Sequence, residues 1–348
     1  MLNNFILSAS NADASRVNYH VSGALWASVF IILAIALCLD LFVFNRHEHV
    51  ISMKEAALAS ALWITLGVGF GVHVWIDISS QAASQYYAAY ALEKSLSVDN
   101  LFVIALLFSY FSVPKIYQHR VLYWGVIGAL IFRGIFIALG AVLISKFEFV
   151  LAIFGLVLLV SAYKMSFSSH DAIDPEKNPL LRIMRKRVRM TKDYRGKKFI
   201  VKENAKRYAT PLLAVLLIVE TTDVVFAFDS IPAVFGISSD PFIVFSSNAF
   251  AILGLRSLYF LIAGLLGKFE ALKYGLSFIL AFIGIKLMLT FFLDWHPPEW
   301  LSLTVIAVSL ALSIAYSLLL PSPQVMEVNK SGDGLTELDE KFEDPEPI

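Results

Sequence analysis

The chain has 348 residues, of which 58% are hydrophobic and 16% are charged, and its mean hydropathy is +0.70. A water-soluble domain of this length would not be so apolar, so the bilayer is the expected solvent. The formal net charge is zero, and Cys38 is the only cysteine, which excludes an intrachain disulfide and a thiolate metal cage.

The first 20 residues lack the basic start and compact apolar stretch of a cleaved signal peptide. We expect residues 1–20 to be an extracytoplasmic N-terminal segment, followed by a transmembrane domain over 21–320. Apolar windows of about 20 residues, enough to cross roughly 30 Å of hydrocarbon, predict an all-α polytopic membrane protein with about nine transmembrane helices. These windows are 21–44, 56–77, 88–112, 120–145, 147–166, 209–230, 241–267, 271–293 and 300–320.

Basic residues predict the orientation of these helices. The loop 167–208 is rich in Lys and Arg, whereas the connections 231–240 and 294–299 contain neither. The positive-inside rule then places this loop and the acidic tail 321–348 in the cytoplasm and the N-terminus outside. The basic loop has no apolar periodicity, so we predict no nucleic-acid partner, and the sequence does not indicate the oligomeric state.

An internal repeat relates two parts of the membrane region, about 86–166 and 208–290. A shift of 122 to 124 residues aligns Asp99 with Asp223 and Arg133 with Arg256, and it also aligns two Lys-Phe-Glu triplets. Each unit contains three predicted helices, an odd number, so the second unit enters the membrane from the opposite side. This is the inverted-topology repeat of secondary transporters.

Acidic residues within the predicted helices point to a site near the bilayer centre. An isolated Asp at that depth costs about 2.5 to 3.5 kcal/mol, so several acids require an interior cavity and compensating charge. Arg133 and Arg256 supply part of that charge, and a divalent cation could supply the rest. The predicted metal-ligating residues are Glu93, Asp99, Asn100, Glu220, Asp223 and Asp229.

Helix geometry favours convergence of four of these residues. Glu220 and Asp223 at i and i+3 share a helix face, as do Glu93 and Asn100 at i and i+7. Asp229 does not share the face of Glu220 on a regular helix. We therefore also predict a helix break at residues 230–232, where Pro232 cannot donate a hydrogen bond to the carbonyl of Phe228.

The ligand type favours hard cations. Carboxylate, amide and carbonyl oxygens suit Mn²⁺, Mg²⁺ or Ca²⁺, and ligand type alone does not separate these three. Asp40, near the end of the first helix, is a candidate for the point where the ion enters or leaves, or is simply interfacial. The alternative for each acid is a structural ion pair with Arg133, Arg256, Lys164 or Lys286.

With these residues in view, the chain resembles the TerC family, and most closely its Alx-like members, which are named for tellurite resistance and alkaline induction. The segments that carry the resemblance are LDLFVFNRHEHVISMKEA at 39–56, EKSLSVDNLFV at 93–103 and ETTDVVFAFDSIPAVF at 220–235. The resemblance implies an inverted-repeat exporter of Mn²⁺ with the acidic residues named above in the ion path.

We therefore predict a carrier in the inner (plasma) membrane of a bacterium that exports Mn²⁺, with exchange for protons as the candidate coupling, no tightly bound cofactor and no enzymatic activity. Three alternatives stay open: an intramembrane aspartyl protease, for which the contexts of Asp99 and Asp223 are unsuitable, an exporter of small organic solutes, and a non-transporting partner protein. The last would bind metal or act in redox chemistry or tellurite resistance.

Overall fold

The structure is a computed structural model, and it describes residues 19, 21–42, 52–147, 149–167, 190–191, 193–203, 206–263, 272–293 and 297–319. Its helices are α1 (Gly23–Phe42), α2 (Met53–Asp77), α3 (Ser80–Tyr110), α4 (Lys115–Lys146), α5 (Phe149–Phe167), α6 (Pro211–Phe235), α7 (Pro241–Ile252), α8 (Leu255–Ala263), α9 (Leu272–Leu293) and α10 (Glu299–Leu319). A hairpin of β1 (Ile200–Glu203) and β2 (Lys206–Ala209) precedes α6.

The predicted class is confirmed: the protein is a polytopic membrane protein built of helices. Six of the described helices are long and apolar enough to span a bilayer, and the bent pair α7 and α8 makes a seventh candidate span. Helix α3 has 31 residues, but Glu93, Lys94 and Asp99 make it polar, and the apolar part of α10 covers only residues 300–316. The total of nine spans therefore stays a prediction.

Local sequence signals define where the helices begin. Ser52 and Glu55 form a capping box at the start of α2, in which each side chain accepts a hydrogen bond from the other residue's backbone N–H. The Ser79 hydroxyl accepts from the N–H of Ala82, so α3 begins at Ser80, eight residues before the predicted window. Its extra turns pack Tyr86 and Tyr87 on α2, where their hydroxyls donate to the carbonyls of Gly67 and Val68.

The two repeat units pack against each other reciprocally. Helix α3 of the first unit contacts the second helix of the other unit, α7, and α4 in turn contacts α6. The first helices α3 and α6 are also in contact, as are the third helices α5 and α9. This is the pattern that a pseudo-twofold axis between two inverted units would produce.

Glycines allow the closest of these contacts, between α5 and α9. A Cβ atom on Gly155 would lie 3.0 Å from the carbonyl oxygen of Gly284, and a Cβ atom on Gly284 would lie 3.0 Å from that of Gly155. Small residues at such a crossing let two helix backbones pack directly, which is a common way of joining helices in membranes.

Two sequence expectations about backbone were wrong. The window 241–267 is not one helix, because Gly254 adopts a left-handed φ of 78° and the two halves meet at a bend of 46°. The break expected at residues 230–232 does not occur, since α6 continues through Pro232 to Phe235. Part of the loop 167–208 forms the β-hairpin, a feature that the sequence did not predict.

Several sequence features lie outside the described residues, so the structure does not test them. They are residues 1–18, most of the basic loop, the acidic tail and the His47-Glu48-His49 triplet, whose side chains look like a metal site but more often are ordinary residues of a solvated loop.

Candidate ion-binding site

The centre of the candidate site is Arg133, in the middle of α4. Its side chain is only 2% exposed and forms an ion pair with Glu93 of α3. On α6, its Nη2 and Nε donate to the two carboxylate oxygens of Asp223, at 3.1 Å and 3.3 Å, and Nη1 lies 3.4 Å from the Ser230 hydroxyl. One guanidinium therefore joins the first two helices of the first unit to the first helix of the second.

The Glu93 carboxylate is fully buried, but only one of its two oxygens has a partner among the described residues. Its Oε1 faces Arg133, whereas Oε2 is buried with no hydrogen-bond partner among the described residues. Such an oxygen is costly in an apolar interior unless something else binds it. Asn100, two turns further along α3, is also buried, as the shared helix face predicts. Asp99 lies in α3 as well, but its side chain is outside the described part of the molecule.

Glu220 is the acid that Arg133 does not bind. It lines a small cavity with Asp223, as their i, i+3 spacing predicts, and the cavity has a volume of about 30 Å³. Buried Oε2 of Glu220 has no hydrogen-bond partner in the described regions. The carboxyl lies directly over Gly128 of α4, where a Cβ atom would overlap it, so this glycine makes room for the acid.

The cavity itself is otherwise apolar. Its other walls come from α3, α4, α6 and α8, so it lies where the two repeat units meet, and a space of this size holds about one water molecule. The apolar lining residues are Leu101, Ile104, Leu122, Gly125, Val126, Ala129, Val219 and Leu255. An ion held there would have Glu220 and Asp223 as its charged neighbours.

Asp229 lies on the other side of α6, as its spacing from Glu220 predicts. It accepts a 2.6 Å hydrogen bond from Ser161 of α5 and is attracted by the Lys164 ammonium. The structure thus places Asp229 at the α5–α6 contact and not at the Arg133 cluster.

Arg256 does not share the role of Arg133, although the repeat aligns the two residues. Its Nη2 forms a 2.6 Å ion pair with Asp40 of α1, outside the repeat. Its Nε and Nη1 are buried without hydrogen-bond partners among the described residues. Arg256 therefore compensates Asp40, the candidate for the end of the ion path, and none of the described predicted ligands.

The helix break between α7 and α8 adds a feature that sequence reasoning missed. Lys94, the neighbour of Glu93 on α3, donates a 3.0 Å hydrogen bond to the carbonyl of Leu253 at the break. This carbonyl is free for Lys94 because the helix stops there, and Gly254 within an otherwise apolar run was the available signal. Broken helices near charged groups are typical of transporter binding sites.

The described side chains do not form a ready-made metal centre. Nowhere in the described ranges do three or more His, Cys, Asp or Glu side chains meet in a way that would hold a metal ion. Arg133 forms ion pairs with Glu93 and Asp223. For these two acids the structure agrees with the alternative stated above, a structural ion pair. Glu220 has no such ion pair in the described regions, which leaves it as the acid available to a cation.

A larger open groove of about 770 Å³ lies where α4 and α6 end. Ala141 and Leu151 of the first repeat unit line it together with Phe235, Lys286 and Thr290 of the second, so both repeat units contribute. Lys286 is buried and donates to the Ser302 hydroxyl at 3.1 Å. By the predicted orientation this groove opens on the extracytoplasmic side.

Comparison with known proteins identifies the family of the chain. The model of the family described as "Integral membrane protein TerC family" matches residues 78–324, which include the Arg133 cluster and both repeat units. The chain belongs to the TerC family. Helices α1 and α2 precede the matched residues.

TerC relatives resemble the chain over most of its length. An "Uncharacterized membrane protein STKORF319" of Myxococcus xanthus is 44% identical over 86% of this chain and 93% of its own. The "Putative membrane-bound redox modulator Alx" of Escherichia coli (strain K12) is 45% identical over 81% and 90%, and that of Photorhabdus laumondii is 43% identical over 84% and 94%. No solved structure matches the chain.

Proposed function

We propose that this TerC-family protein carries divalent metal cations across the bacterial inner membrane and exports Mn²⁺ from the cytoplasm. The observation that carries the proposal is the charge of the central cluster. Glu93 and Asp223 bind a single guanidinium and Glu220 lines a cavity with Asp223, which leaves two negative charges in excess when all three acids are ionised. One divalent cation would balance that excess, whereas an anion would increase it.

The chemistry of the available atoms supports a hard cation. Glu220 and Glu93 each present a buried carboxylate oxygen without a hydrogen-bond partner among the described residues, and Asp223 lies beside Glu220. Oxygen ligands of this kind suit Mn²⁺, Mg²⁺ and Ca²⁺ better than softer metals. The choice of Mn²⁺ among the three comes from the family resemblance.

The packing of the repeats supports alternating access. Glu220 and Arg133 belong to different units, so a rocking movement of one unit against the other would change the distance between them. In this mechanism the cation binds at Glu220 from the cytoplasm, the units rock, and the cation leaves through the extracytoplasmic groove. Protons taken up by the carboxylates would drive the return step.

The names of relatives suggest a second candidate, a membrane-bound redox modulator. A thiol-based redox reaction within one chain would need two cysteines, and Cys38 is the only one. A carrier that changes the metal supply of other proteins would alter redox balance without redox chemistry of its own. We therefore prefer the carrier, and with it a protein that is not an enzyme.

The test is ion flux in proteoliposomes that contain a metal-sensitive dye. We expect Mn²⁺ flux for the wild-type protein and loss of that flux for Glu220→Gln, which keeps the size of the side chain. Asp77→Asn is the matched control, because Asp77 lies at the end of α2, where its partner is the half-exposed His73, 2.7 Å away. Asp99→Asn would test the predicted ligand whose side chain the structure leaves undescribed.

Two results would contradict the carrier. One is the absence of Mn²⁺, Ca²⁺ and Mg²⁺ flux in the wild-type protein under every gradient, which would favour a non-transporting partner protein. The other is equal flux in the wild-type protein and in a folded Glu220→Gln variant, which would place the ion path elsewhere. A pH gradient applied to a functioning preparation would then test exchange for protons.

A further inference from the structure

The β-hairpin carries two cations in a position that folding alone does not favour. In the antiparallel register of β1 and β2, Lys202 lies directly opposite Arg207. Both side chains are exposed, and residues directly opposite each other project from the same face of a hairpin. Like charges in this position destabilise a hairpin, and an anion bound between them would offset the repulsion.

The hairpin is firmly attached to the helical bundle. The Tyr194 hydroxyl donates a 2.6 Å hydrogen bond to the carbonyl of Phe111 at the end of α3, and burial raises the pKa of Tyr194 to about 12, so the hydroxyl keeps its proton. Thr210 donates to the carbonyl of Lys198 at 2.7 Å, and the Arg120 guanidinium of α4 lies 5.2 Å from the centre of the Phe199 ring. The hairpin is thus a fixed platform at one end of α3, α4 and α6.

This attachment goes beyond what membrane topology requires. Positive charges orient membrane helices through their number and location, and they need no folded scaffold. Here they lie on a β-hairpin with a defined register. A fixed pair of cations is better suited to binding a phosphate group, whose oxygens can accept from an ammonium and a guanidinium at once.

The surroundings of the pair indicate where that phosphate comes from. Ile200, two residues before Lys202 and therefore on the same face, is 56% exposed. An exposed apolar side chain beside two cations fits the boundary between lipid headgroups and acyl chains. By the predicted orientation this boundary belongs to the cytoplasmic leaflet, where anionic lipids attract basic segments.

We propose that Lys202 and Arg207 form a binding site for the phosphate group of an anionic phospholipid, with Ile200 in contact with the lipid below the headgroup. The site is separate from the ion path and does not depend on which ion the protein carries.

The experiment uses the full-length protein in detergent micelles with phosphatidylglycerol or phosphatidylcholine added. Native mass spectrometry would count bound lipids, and thermal unfolding would report stability. For the wild type we expect retained phosphatidylglycerol and a higher midpoint with this lipid than with phosphatidylcholine. Lys202→Gln/Arg207→Gln should lose at least half of the bound phosphatidylglycerol and most of the shift in midpoint.

The matched control is Lys54→Gln/Lys115→Gln. It removes the same charge from exposed lysines at the beginnings of α2 and α4, on the same predicted side of the membrane, and it should behave as the wild type. Without anionic lipid, Lys202→Gln/Arg207→Gln should unfold at the wild-type temperature or above, because it removes a repulsion. A lower midpoint there would mean that the pair serves folding, and would overturn the proposal.

Three further outcomes would also overturn it. Equal loss of phosphatidylglycerol in both double variants would indicate attraction by net charge alone. An equal shift in midpoint with inorganic phosphate would show that the lipid is not required. Lipid binding that appears only after deletion of residues 321–348 would identify the acidic tail as the occupant of the site.

Discussion

Arg133 shows how one residue can determine the arrangement of a membrane-protein interior. It pairs with Glu93 and Asp223, of which Glu93 is fully buried and Asp223 is 15% exposed, and replacing a single member leaves an unbalanced charge that water reaches poorly. The same arrangement leaves Glu220, the third acid of the cluster, without an ion pair among the described residues. Glu93 and Asp223 therefore contribute to stability through Arg133, and Glu220 stays available for ion binding.

We expect Arg133→Gln to lower the free energy of unfolding by roughly 3 to 5 kcal/mol, since it leaves the buried Glu93 and the partly buried Asp223 carboxylates without their cation. The measurement is the thermal midpoint of purified protein in detergent micelles. Arg133→Gln/Glu93→Gln should recover part of the loss, because the second substitution removes one of the unpaired charges. A wild-type midpoint for Arg133→Gln would show that the cluster does not stabilise the fold.

Gly128→Ala tests the position of Glu220 without changing any charge. The added methyl group would overlap the Glu220 carboxyl, whose flexible side chain can move aside, so we expect the protein to fold. Displacement of the carboxyl should weaken Mn²⁺ flux at low concentration by about tenfold or more, the effect of about 1.4 kcal/mol in binding free energy.

The control for Gly128→Ala is Gly134→Ala in the same helix. There the new methyl group would only touch the Phe245 ring, at 3.4 Å. Unchanged flux in both variants would indicate that the ion does not depend on Glu220 in this position.

At the scale of the elements, the most consequential feature is the break between α7 and α8. Gly254 has a left-handed φ of 78°, and a Cβ atom there would lie 2.6 Å from Cβ of Trp63 in α2. Only glycine allows both the conformation and the close approach. The break in turn releases the Leu253 carbonyl that binds Lys94.

We expect Gly254→Ala to destabilise the protein by about 1 to 3 kcal/mol through backbone strain, in addition to the clash with Trp63. Gly69→Ala is a demanding control, because Gly69 lies in α2 and an added methyl group there would have nothing within 4 Å. That substitution should stabilise the helix by roughly 0.5 to 1 kcal/mol. Thermal midpoints that shift by the same size and sign in the two variants would contradict a special role for Gly254.

The sequence predicted the helices better than it predicted their interruptions. Apolar windows located most spans, but the window containing Gly254 is apolar on average despite Asn248 and Arg256, so hydropathy gave no sign of the break. Pro232 predicted an interruption that the packing of α6 does not produce. In the site, helix spacing correctly joined Glu220 with Asp223 and separated Asp229, because these residues share one regular helix.

Partners on different helices were harder to predict. The repeat aligns Arg133 with Arg256, yet one binds Glu93 and Asp223 and the other binds Asp40 of α1. The reason is that α1 lies outside the repeat and provides a partner for one unit only. The sequence repeat therefore predicts the positions of the two arginines. Contacts with helices outside the repeat, here α1, determine which acid each arginine binds.

At the scale of the whole molecule, the orientation of the later helices depends on whether α3 crosses the bilayer. The charged residues of α3 make its mean hydropathy lower than that of the other spans. Three helices, α3, α4 and α5, separate exposed Ser80 from exposed Lys198. If all three cross, these two residues lie on opposite sides of the membrane.

We expect a membrane-impermeant maleimide to label Ser80→Cys in intact cells and Lys198→Cys only in everted vesicles, in a Cys38→Ser background. Cys38 must be replaced because it is exposed and is the only native thiol. Labelling of both positions from the same side would mean that α3 does not cross the bilayer. Labelling with the sides exchanged would reverse the predicted orientation but keep the three crossings.

The small volume beside Glu220 has a consequence for the speed of ion capture. A space of about 30 Å³ holds a bare ion or one water molecule, so a cation that binds there must first release most of its hydration shell. Mg²⁺ dehydrates reluctantly, and we expect a large excess of Mg²⁺ to slow Mn²⁺ flux little in proteoliposomes. Strong competition by Mg²⁺ would contradict this. If Mg²⁺ competes only weakly, the protein selects its ion by the rate at which water leaves the metal. Two cations with equal affinity for oxygen ligands are then separated before either one binds a carboxylate.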